Sequence, residues 1–280
     1  MDQIQSNTLS IQNITNPTTS EGFTPAKLIN SNGDFPLLLV CEHASDHIPD
    51  ELNDLGVSAD TIKSHAVYDI GAREVAFEIS KALNCPLITS NVSRIVIDCN
   101  RDPYSPSAVP FKSEVHMIPG NKNVTEVEHE RRIQSYYNPF HDLVDEYLNS
   151  NPDIASFIAI HSFTPVFFGV DRHVDLGVLF DEDYRLAGLL LEKLTKIDKL
   201  RVIPNEPYKP DPKVIHTVKR HAMARNLPHL MVEIRNSLIR TKANQIKMGN
   251  LLAKPIKQSV ETISQQLGQE NLELKNDKFS

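Results

Sequence analysis

Cysteine is scarce in this chain, and several familiar catalytic signatures are missing from it. Three cysteines among 280 residues, odd in number and widely spaced, argue against a disulfide framework and favour a reducing compartment. A GxSxG elbow, a GxxxxGKS/T loop and a CxxC pair are all absent. The serine-hydrolase, P-loop and structural-zinc interpretations depend on those signatures and therefore have no support.

Long apolar runs and excess positive charge are also lacking. No run approaches the roughly 20 apolar residues of a membrane-spanning helix. The formal net charge is −7, whereas proteins that bind a phosphate backbone are usually basic. The first 32 residues are rich in Ser, Thr, Asn and Gln and lack the apolar region of a secretory signal. We therefore predict a cytoplasmic protein without a membrane or nucleic-acid partner.

Apolar segments of two kinds alternate along the chain and predict an α/β fold. Strands are expected at 36–41, 86–90, 94–99, 156–161, 174–180, 200–204 and 229–234. Helices are expected at 70–83, 124–148, 183–196 and 240–266. This alternation is typical of a single domain with a mixed, mostly parallel central sheet and helices on both faces.

The domain is expected at 33–268, between a flexible polar segment at 1–32 and a polar tail at 269–280. A proline-rich segment at 102–123 interrupts the alternation and cannot be a regular helix or a central strand. Long loops inside compact domains are usually functional or disordered. We therefore predict that this segment is a flap over the active site.

Two histidines each follow an apolar run, and they are the strongest functional candidates. His43 comes after the strand at 36–41, and His161 ends the strand at 156–161. Ligands of open α/β sheets bind at the carboxyl ends of the strands, so both imidazoles are expected at one edge. Catalytic zinc takes three protein ligands from His, Asp and Glu. The third ligand stays open among three carboxylates: Glu42, Asp46 and Asp69, the last of which is also a candidate N-cap.

A second pair of charged residues ends another apolar run. Glu233 and Arg235 lie two positions apart, so on a strand they face the same side. A carboxylate beside a metal-bound water can act as a general base, and an arginine can bind a substrate carboxylate with two hydrogen bonds. A solvated ion pair on an edge strand is the alternative interpretation.

The segment 93–101 places polar residues around a third apolar run. Strand alternation would put Arg94 and Asp98 on one face, either to bind an acidic small molecule or to form a structural pair. Arg101, at the outgoing end, is the better candidate for substrate binding. Elsewhere, His65 and Asp69 could share one helical face, and His216 and His221 are expected on a helix surface without a role.

Six segments, in order, resemble the motifs of the N-formylglutamate amidohydrolase family. They span roughly 36–240 and are Cys41-Glu42-His43-Ala44-Ser45, His65 to Ala72, Ser93 to Arg101, Ile118-Pro119-Gly120-Asn121, His161-Ser162-Phe163-Thr164-Pro165 and Glu233-Ile234-Arg235. Glu42-His43-Ala44-Ser45 stands where the better-known deformylase branch has Pro-His-Ser-Gly. The chain therefore resembles a Glu-His branch of the family.

This resemblance implies a single α/β domain similar to zinc carboxypeptidases (a phosphorylase/hydrolase-like fold) and hydrolysis of an amide with zinc. His43 and His161 are similar to the histidine ligands of those carboxypeptidases, and Glu233 to their general base. The wider fold would place the acidic ligand at Asp46. The family pattern includes Asp69, which we rank ahead of Asp46 and Glu42.

We therefore predict a zinc-dependent amidohydrolase that cleaves the N-formyl or another N-acyl amide of a small acidic amino acid such as N-formylglutamate. Glu233 and Arg101 are expected to be catalytic. The expected substrate-binding residues are Arg94, Asn100, Ser162, Arg172 and Arg235. A monomer or small homo-oligomer is expected. The alternatives are a zinc peptidase or deacylase for another acyl amino acid, and a non-catalytic protein that binds carboxylates.

Overall fold

Seven strands of the chain join into one sheet, and the five inner strands are mostly apolar runs that bury side chains on both faces, whereas the two edge strands are partly exposed. The structure is a computed structural model that describes residue 16, residues 22–211 and residues 214–277, with side chains up to 269. The sheet strands are β1 (Ala26–Ile29), β2 (Leu37–Cys41), β3 (Leu87–Ser90), β6 (Ser156–Phe163), β9 (Leu176–Leu179), β10 (Val202–Pro204) and β11 (His229–Arg235). Two short hairpins supply β4 (Lys112–Ser113) with β5 (His116–Met117), and β7 (Val166–Phe167) with β8 (Val170–Asp171).

The strand order is β1-β3-β2-β6-β11-β9-β10. β3, β2, β6 and β11 run parallel to one another. β1 is antiparallel to β3, β9 is antiparallel to β11, and β10 is parallel to β9. The sheet is therefore mixed and mostly parallel, which confirms the predicted fold class. One candidate histidine, His161, belongs to β6, and the other, His43, follows the adjacent parallel strand β2 near the centre of the sheet.

Helices cover both faces of the sheet. They are α1 (Ala59–Ile62), α2 (Ala72–Leu83), α3 (Glu126–Arg132), α4 (Asn138–Ser150), α5 (Arg185–Leu194), α6 (His216–His221) and α7 (Lys242–Asp277). α4 packs on one face, whereas α2, α5 and α7 pack on the other. Alternate residues of β2 pack on opposite faces of the sheet: Leu38 is in the core on the side of α4, and Leu39 is in the core on the side of α2, α5 and α7. Each such buried leucine contributes roughly 2 kcal/mol to folding.

The predicted helix at 124–148 is divided in two. α3 and α4 are joined by a π-helical turn at Ile133–Tyr137. Pro139 explains the break, because it has no N–H to donate to the carbonyl four residues earlier. A periodic apolar pattern does not reveal such a local change of hydrogen bonding.

α2 begins two residues later than predicted, and Asp69 does not cap it. The N-cap is Gly71, whose φ of 79° lies in the left-handed region. A Cβ at this position would collide with the carbonyl oxygen of Ile239, so glycine is required. The Asp69 side chain is thereby free to point toward the edge of the sheet that carries the histidines.

The predicted strand at 94–99 is wrong, because the segment is a buried series of turns. The backbone N–H of Val96 donates to the carbonyl of Ser93, and that of Arg94 donates to the carbonyl of Val67. These bonds replace a strand ladder. The apolar side chains of these turns are buried, and a run of buried apolar residues gives the same sequence pattern as a buried strand.

The segment 102–123 is fastened to these turns by polar side chains. Asn121 donates to the carbonyls of Ile95 (2.7 Å) and Pro110 (3.0 Å). Arg132 is buried and donates to the carbonyl of Val96 (3.1 Å) and to Oδ1 of Asn121 (2.8 Å). The family motif that ends in Asn121 therefore has a structural role.

Replacing Arg132 by leucine is expected to lower the free energy of unfolding by about 3 kcal/mol, because buried acceptors lose a charged donor. Urea unfolding measures the change. Arg131→Leu is the matched control, since Arg131 also pairs with Glu128 (2.7 Å) but is 38% exposed. We expect the control to cost less than about 1 kcal/mol. Equal losses in the two variants would contradict the argument.

Both ends of the chain depart from the predicted boundaries. The expected flexible segment at 1–32 includes β1, whose Ala26 is fully buried. Residues 1–15 and 17–21 of that segment lie outside the described residues. α7 continues to Asp277, through part of the expected tail at 269–280. Among the described helices, none has the length and apolar character needed to cross a membrane.

Candidate active site and metal centre

Three neighbouring parallel strands carry candidate residues to one edge of the sheet. Glu233 of β11 stands directly opposite His161 of β6 in the strand register. His43 lies two residues beyond the end of β2. β6 lies between β2 and β11 in the sheet. The strand register therefore explains why residues far apart in the sequence meet.

The two imidazoles converge on the carboxylate of Asp69. Their ring centroids are 4.8 Å apart. Nδ1 of His161 lies 2.9 Å from Oδ2 of Asp69, and Nδ1 of His43 lies 3.5 Å from the same oxygen. Ligand atoms of these three buried residues lie within 4.8 Å of one another. Two nitrogens and one oxygen so arranged could hold a metal ion.

The far side of each imidazole contacts another buried carboxylate. Nε2 of His43 lies 2.7 Å from Oδ1 of Asp98, and Nε2 of His161 lies 3.0 Å from Oε2 of Glu42. Histidine ligands of metals usually bond a carboxylate or carbonyl through the other ring nitrogen, which sets the tautomer and the ring orientation. Asp98 hydrogen-bonds His43 in this manner, and Glu42 lies behind His161 at a similar distance.

Asp69 is held in place from several sides. Nη1 of Arg94 donates to Oδ1 at 2.9 Å, and the backbone N–H of Ser162 donates to Oδ2 at 3.1 Å. Nδ1 of His65 lies 3.4 Å from Oδ1. The predicted pairing of His65 with Asp69 therefore occurs, although a turn rather than a helix connects them.

Electrostatics favour ionised carboxylates around the two rings. Burial opposes the charge of Asp69, yet His43 and His161 outweigh it and hold its pKa well below the ordinary value. Burial also opposes a proton on His161, but Glu42 and Asp69 raise its pKa well above the ordinary value. Three ionised carboxylates, Glu42, Asp69 and Asp98, therefore surround the two imidazoles, and Arg94 and Arg101 offset part of their charge.

Glu233 differs from these acids because burial dominates its environment. Burial raises the pKa of its carboxyl to about 8, and His161 lowers it only in part. Oε2 of Glu233 has no hydrogen-bond partner among the described residues. A cation nearby would lower this pKa and favour the ionised carboxylate. Glu233 therefore has the environment of a residue that exchanges a proton.

A cavity of about 190 Å³ lies over these residues. Five predicted substrate-binding or catalytic residues line it together with the metal-site residues: Arg94, Asn100, Arg101, Ser162 and Glu233. Ser113 and Glu114 from the segment 102–123 also line it, as does Phe167 of the second hairpin. The backbone N–H of Phe168 donates to Oε1 of Glu114 at 3.2 Å and joins the two hairpins. The predicted flap thus forms part of the wall, and its closure stays a prediction.

Two predicted arginines lie around the cavity wall. The guanidinium of Arg172 stacks 4.3 Å from the ring centroid of Phe167 and 4.8 Å from that of Tyr208, and both rings line the cavity. Arg235 donates to the backbone carbonyl of Arg172 at 2.7 Å. Among the described residues that line the cavity, neither arginine is included. Their substrate-binding roles stay predictions.

The alternative third ligands occupy different places. Asp46 is exposed and is not part of the described cluster, whereas Glu42 is buried against His161.

Asn100 lines the cavity, but its side chain already donates to the carbonyl of Val214 (2.6 Å) and accepts from the N–H of Thr217 (3.0 Å).

Sequence reasoning missed some site residues and misplaced others. Tyr208 lines the cavity, but it belongs to the segment Asn205-Glu206-Pro207-Tyr208, whose composition predicts only a turn. His221 was expected on a helix surface and is buried, with Nε2 2.7 Å from Nδ1 of His141 and Nδ1 2.9 Å from Asp145. A six-residue helix is too short for its apolar face to show that burial.

The comparisons with known proteins agree with the ordered motifs. A family model described as N-formylglutamate amidohydrolase matches residues 35–240. A solved gene product of Agrobacterium tumefaciens is 39% identical, with a TM-score of 0.84, over 88% of this chain and 98% of that one. A solved N-formylglutamate amidohydrolase from Ralstonia eutropha is 19% identical, with a TM-score of 0.62, over 89% of this chain and 100% of that one, which is a likeness of fold. No curated protein gives a significant match.

Proposed function

The chain belongs to the N-formylglutamate amidohydrolase family, as its ordered motifs predict, and from this premise we propose a zinc-dependent hydrolase of N-acyl amino acids. The substrate is the N-formyl or another N-acyl amide of a small acidic amino acid such as N-formylglutamate. One observation carries the proposal: His43, Asp69 and His161 converge at the carboxyl edge of the sheet, with Glu233 beside them.

The residues present fit a divalent cation. Two imidazoles and one carboxylate are the donor set of many catalytic zinc sites. Nδ1 of His43 is buried and has no hydrogen-bond partner among the described residues, as expected of an atom that binds an ion. When bound there, zinc would lower the pKa of a water to about 7 and polarise the amide carbonyl.

Glu233 is the proposed general base. Its carboxylate accepts a proton from the attacking water and then donates that proton to the nitrogen as the C–N bond breaks. Its free oxygen and its burial support this role, because neither is expected of a solvated surface acid. The products are a carboxylic acid and a free amino group.

Arg101 and Arg94 are the proposed anion-binding groups. Both guanidinium side chains line the cavity and are about one fifth exposed. They are therefore held by neighbouring residues but can still contact a substrate in the cavity. Arg101 is anchored through the carbonyl of Asn100 at 2.8 Å, and Arg94 through Asp69. One of them binds the substrate carboxylate and the other stabilises charge on the carbonyl oxygen. Arg172 and Arg235 brace this wall.

The cavity accommodates a small molecule, and its polar lining suits an acidic one. The three cysteines are free and buried, which supports a reducing compartment, and we propose the cytoplasm. The oligomeric state stays a prediction.

The direct test combines metal analysis with hydrolysis assays. The purified protein is analysed for bound metals and incubated with a panel of N-formyl, N-acetyl and N-succinyl derivatives of glutamate, aspartate and leucine. We expect about one zinc per chain and a preference for the acidic amino acids. Full activity after complete removal of metal would exclude the mechanism, and a preference for leucine derivatives would exclude the substrate class.

Glu42→Gln is expected to weaken zinc binding by about 10- to 100-fold, the usual effect of losing an outer carboxylate partner. The cause is the lost charge opposite Nε2 of His161. Competition with a chromophoric chelator measures the affinity. Glu74→Gln is the matched control because Glu74 is exposed on α2. Unchanged affinity in Glu42→Gln would contradict the assigned position of this residue.

A further inference from the structure

A second depression adjoins the catalytic cavity. This basic groove has a volume of about 660 Å³, and Arg101 lines both it and the cavity. One wall is the segment 101–107, and the other is the face of α6 that carries His216, Lys219 and Arg220. Their spacing of three and four residues places these three side chains on one side of the helix.

Two of the three cations in the basic groove, Lys219 and Arg220, have no ion-pair partner among the described residues, whereas Arg101 lies 3.9 Å from Asp98. Arg101, Lys219 and Arg220 are cations, and Asp102 is the carboxylate among its described lining residues. Within the described part of the chain, no carboxylate lies within 4.0 Å of Lys219 or Arg220. The whole chain has a net charge of −7, so the cations of the basic groove form a local excess of positive charge in an acidic protein. Such a region attracts anions toward the cavity.

Neutral hydrogen-bonding groups accompany the charges. Nη1 of Arg220 donates to the hydroxyl of Tyr137 at 3.3 Å, and this hydroxyl lies 2.6 Å from Nε2 of His216. The hydroxyls of Ser105 and Ser107 lie 2.8 Å apart on the opposite wall. Guanidinium, ammonium and hydroxyl groups together suit the oxygens of a carboxylate or a phosphate.

We propose that the basic groove binds a second acidic group of the substrate, which makes the preferred substrate an N-acyl amino acid extended by a further acidic unit. This inference rests on the proposed function. The cavity holds the acyl group and the first amino acid, whereas the extension passes Arg101 and reaches Lys219 and Arg220. An acidic dipeptide with an acylated N-terminus has this chemistry.

Product binding tests the groove separately from catalysis. Calorimetry compares the zinc-loaded protein with glutamate and with the dipeptide glutamyl-glutamate, the deacylated forms of a short and an extended substrate. We expect the dipeptide to bind about tenfold more tightly, the gain of one charged contact pair. In Lys219→Gln/Arg220→Gln this ratio should fall below about twofold. The matched control is Lys247→Gln/Lys254→Gln, which removes two exposed cations from α7 and should keep the tenfold ratio.

Inorganic phosphate distinguishes the substrate extension from a separate anion site. We expect phosphate to weaken dipeptide binding more strongly in the wild type than in Lys219→Gln/Arg220→Gln, because only the wild type offers phosphate the groove as well as the cavity. Equal affinities for dipeptide and glutamate, or an unchanged ratio in Lys219→Gln/Arg220→Gln, would overturn the groove proposal even if N-formylglutamate is hydrolysed. Failure to hydrolyse any N-acyl amino acid would instead refute the proposed function, and the two failures are therefore distinguishable.

Discussion

Replacing Glu233 by glutamine lowers kcat for amide hydrolysis by about 10³-fold, within the range of a lost general base. Glutamine has nearly the same shape but cannot accept a proton from water or return it to the leaving nitrogen. We expect zinc content to stay at the wild-type level, because Glu233 is not part of the His43, Asp69 and His161 cluster. Steady-state kinetics on matched zinc-loaded samples measure the loss.

The fold of this variant should survive the change. Burial disfavours the ionised form of Glu233, so a neutral amide of the same size is expected to be at least as stable. Thermal unfolding checks this expectation. Glu182→Gln, at an exposed position, is the control and should retain wild-type kcat. A Glu233→Gln enzyme with more than a tenth of wild-type kcat would remove Glu233 from the mechanism.

Asp69→Asn is expected to weaken zinc binding by more than about 100-fold, beyond the usual effect of an outer partner. The carboxylate accepts hydrogen bonds from Arg94 and from the N–H of Ser162, and both imidazoles face it. An amide has no charge and turns a donor toward one of these partners. Hydrolytic activity should fall in parallel at limiting zinc and recover only in part when zinc is added.

The control for this experiment is also a test of the alternative ligand. Asp46 follows His43 by three residues, the spacing expected of an acidic ligand in the wider fold, but its side chain is exposed. Asp46→Asn should therefore bind zinc as the wild type does. If Asp46→Asn lost zinc while Asp69→Asn retained it, the third ligand would be Asp46, and the assignment of Asp69 would be wrong.

The central sheet was predictable because its strands are continuous apolar runs that differ clearly from the helical periodicity between them. The position of His43 and His161 near the carboxyl ends of two strands followed from the same pattern, although β6 continues two residues beyond His161. The segment 94–99 was not predictable, since its apolar residues are buried in turns. Its polar residues nonetheless reach the site, because Asp98 contacts His43 and Arg94 contacts Asp69.

Sequence alone was sufficient for the fold class, the family and the meeting of the two histidines at one edge of the sheet, because strand periodicity and ordered motifs are properties of neighbouring residues. Only the folded chain decides which acid meets the imidazoles and which acids stand behind them. The sequence does not distinguish the roles of Asp69, Glu42 and Asp98, because all three are acidic residues next to apolar segments. Their positions around the imidazoles are set by the turn after α1, the end of β2 and the buried turns at 93–99. Contacts across 25 to 119 residues of chain depend on packing and strand register, which a local pattern does not contain.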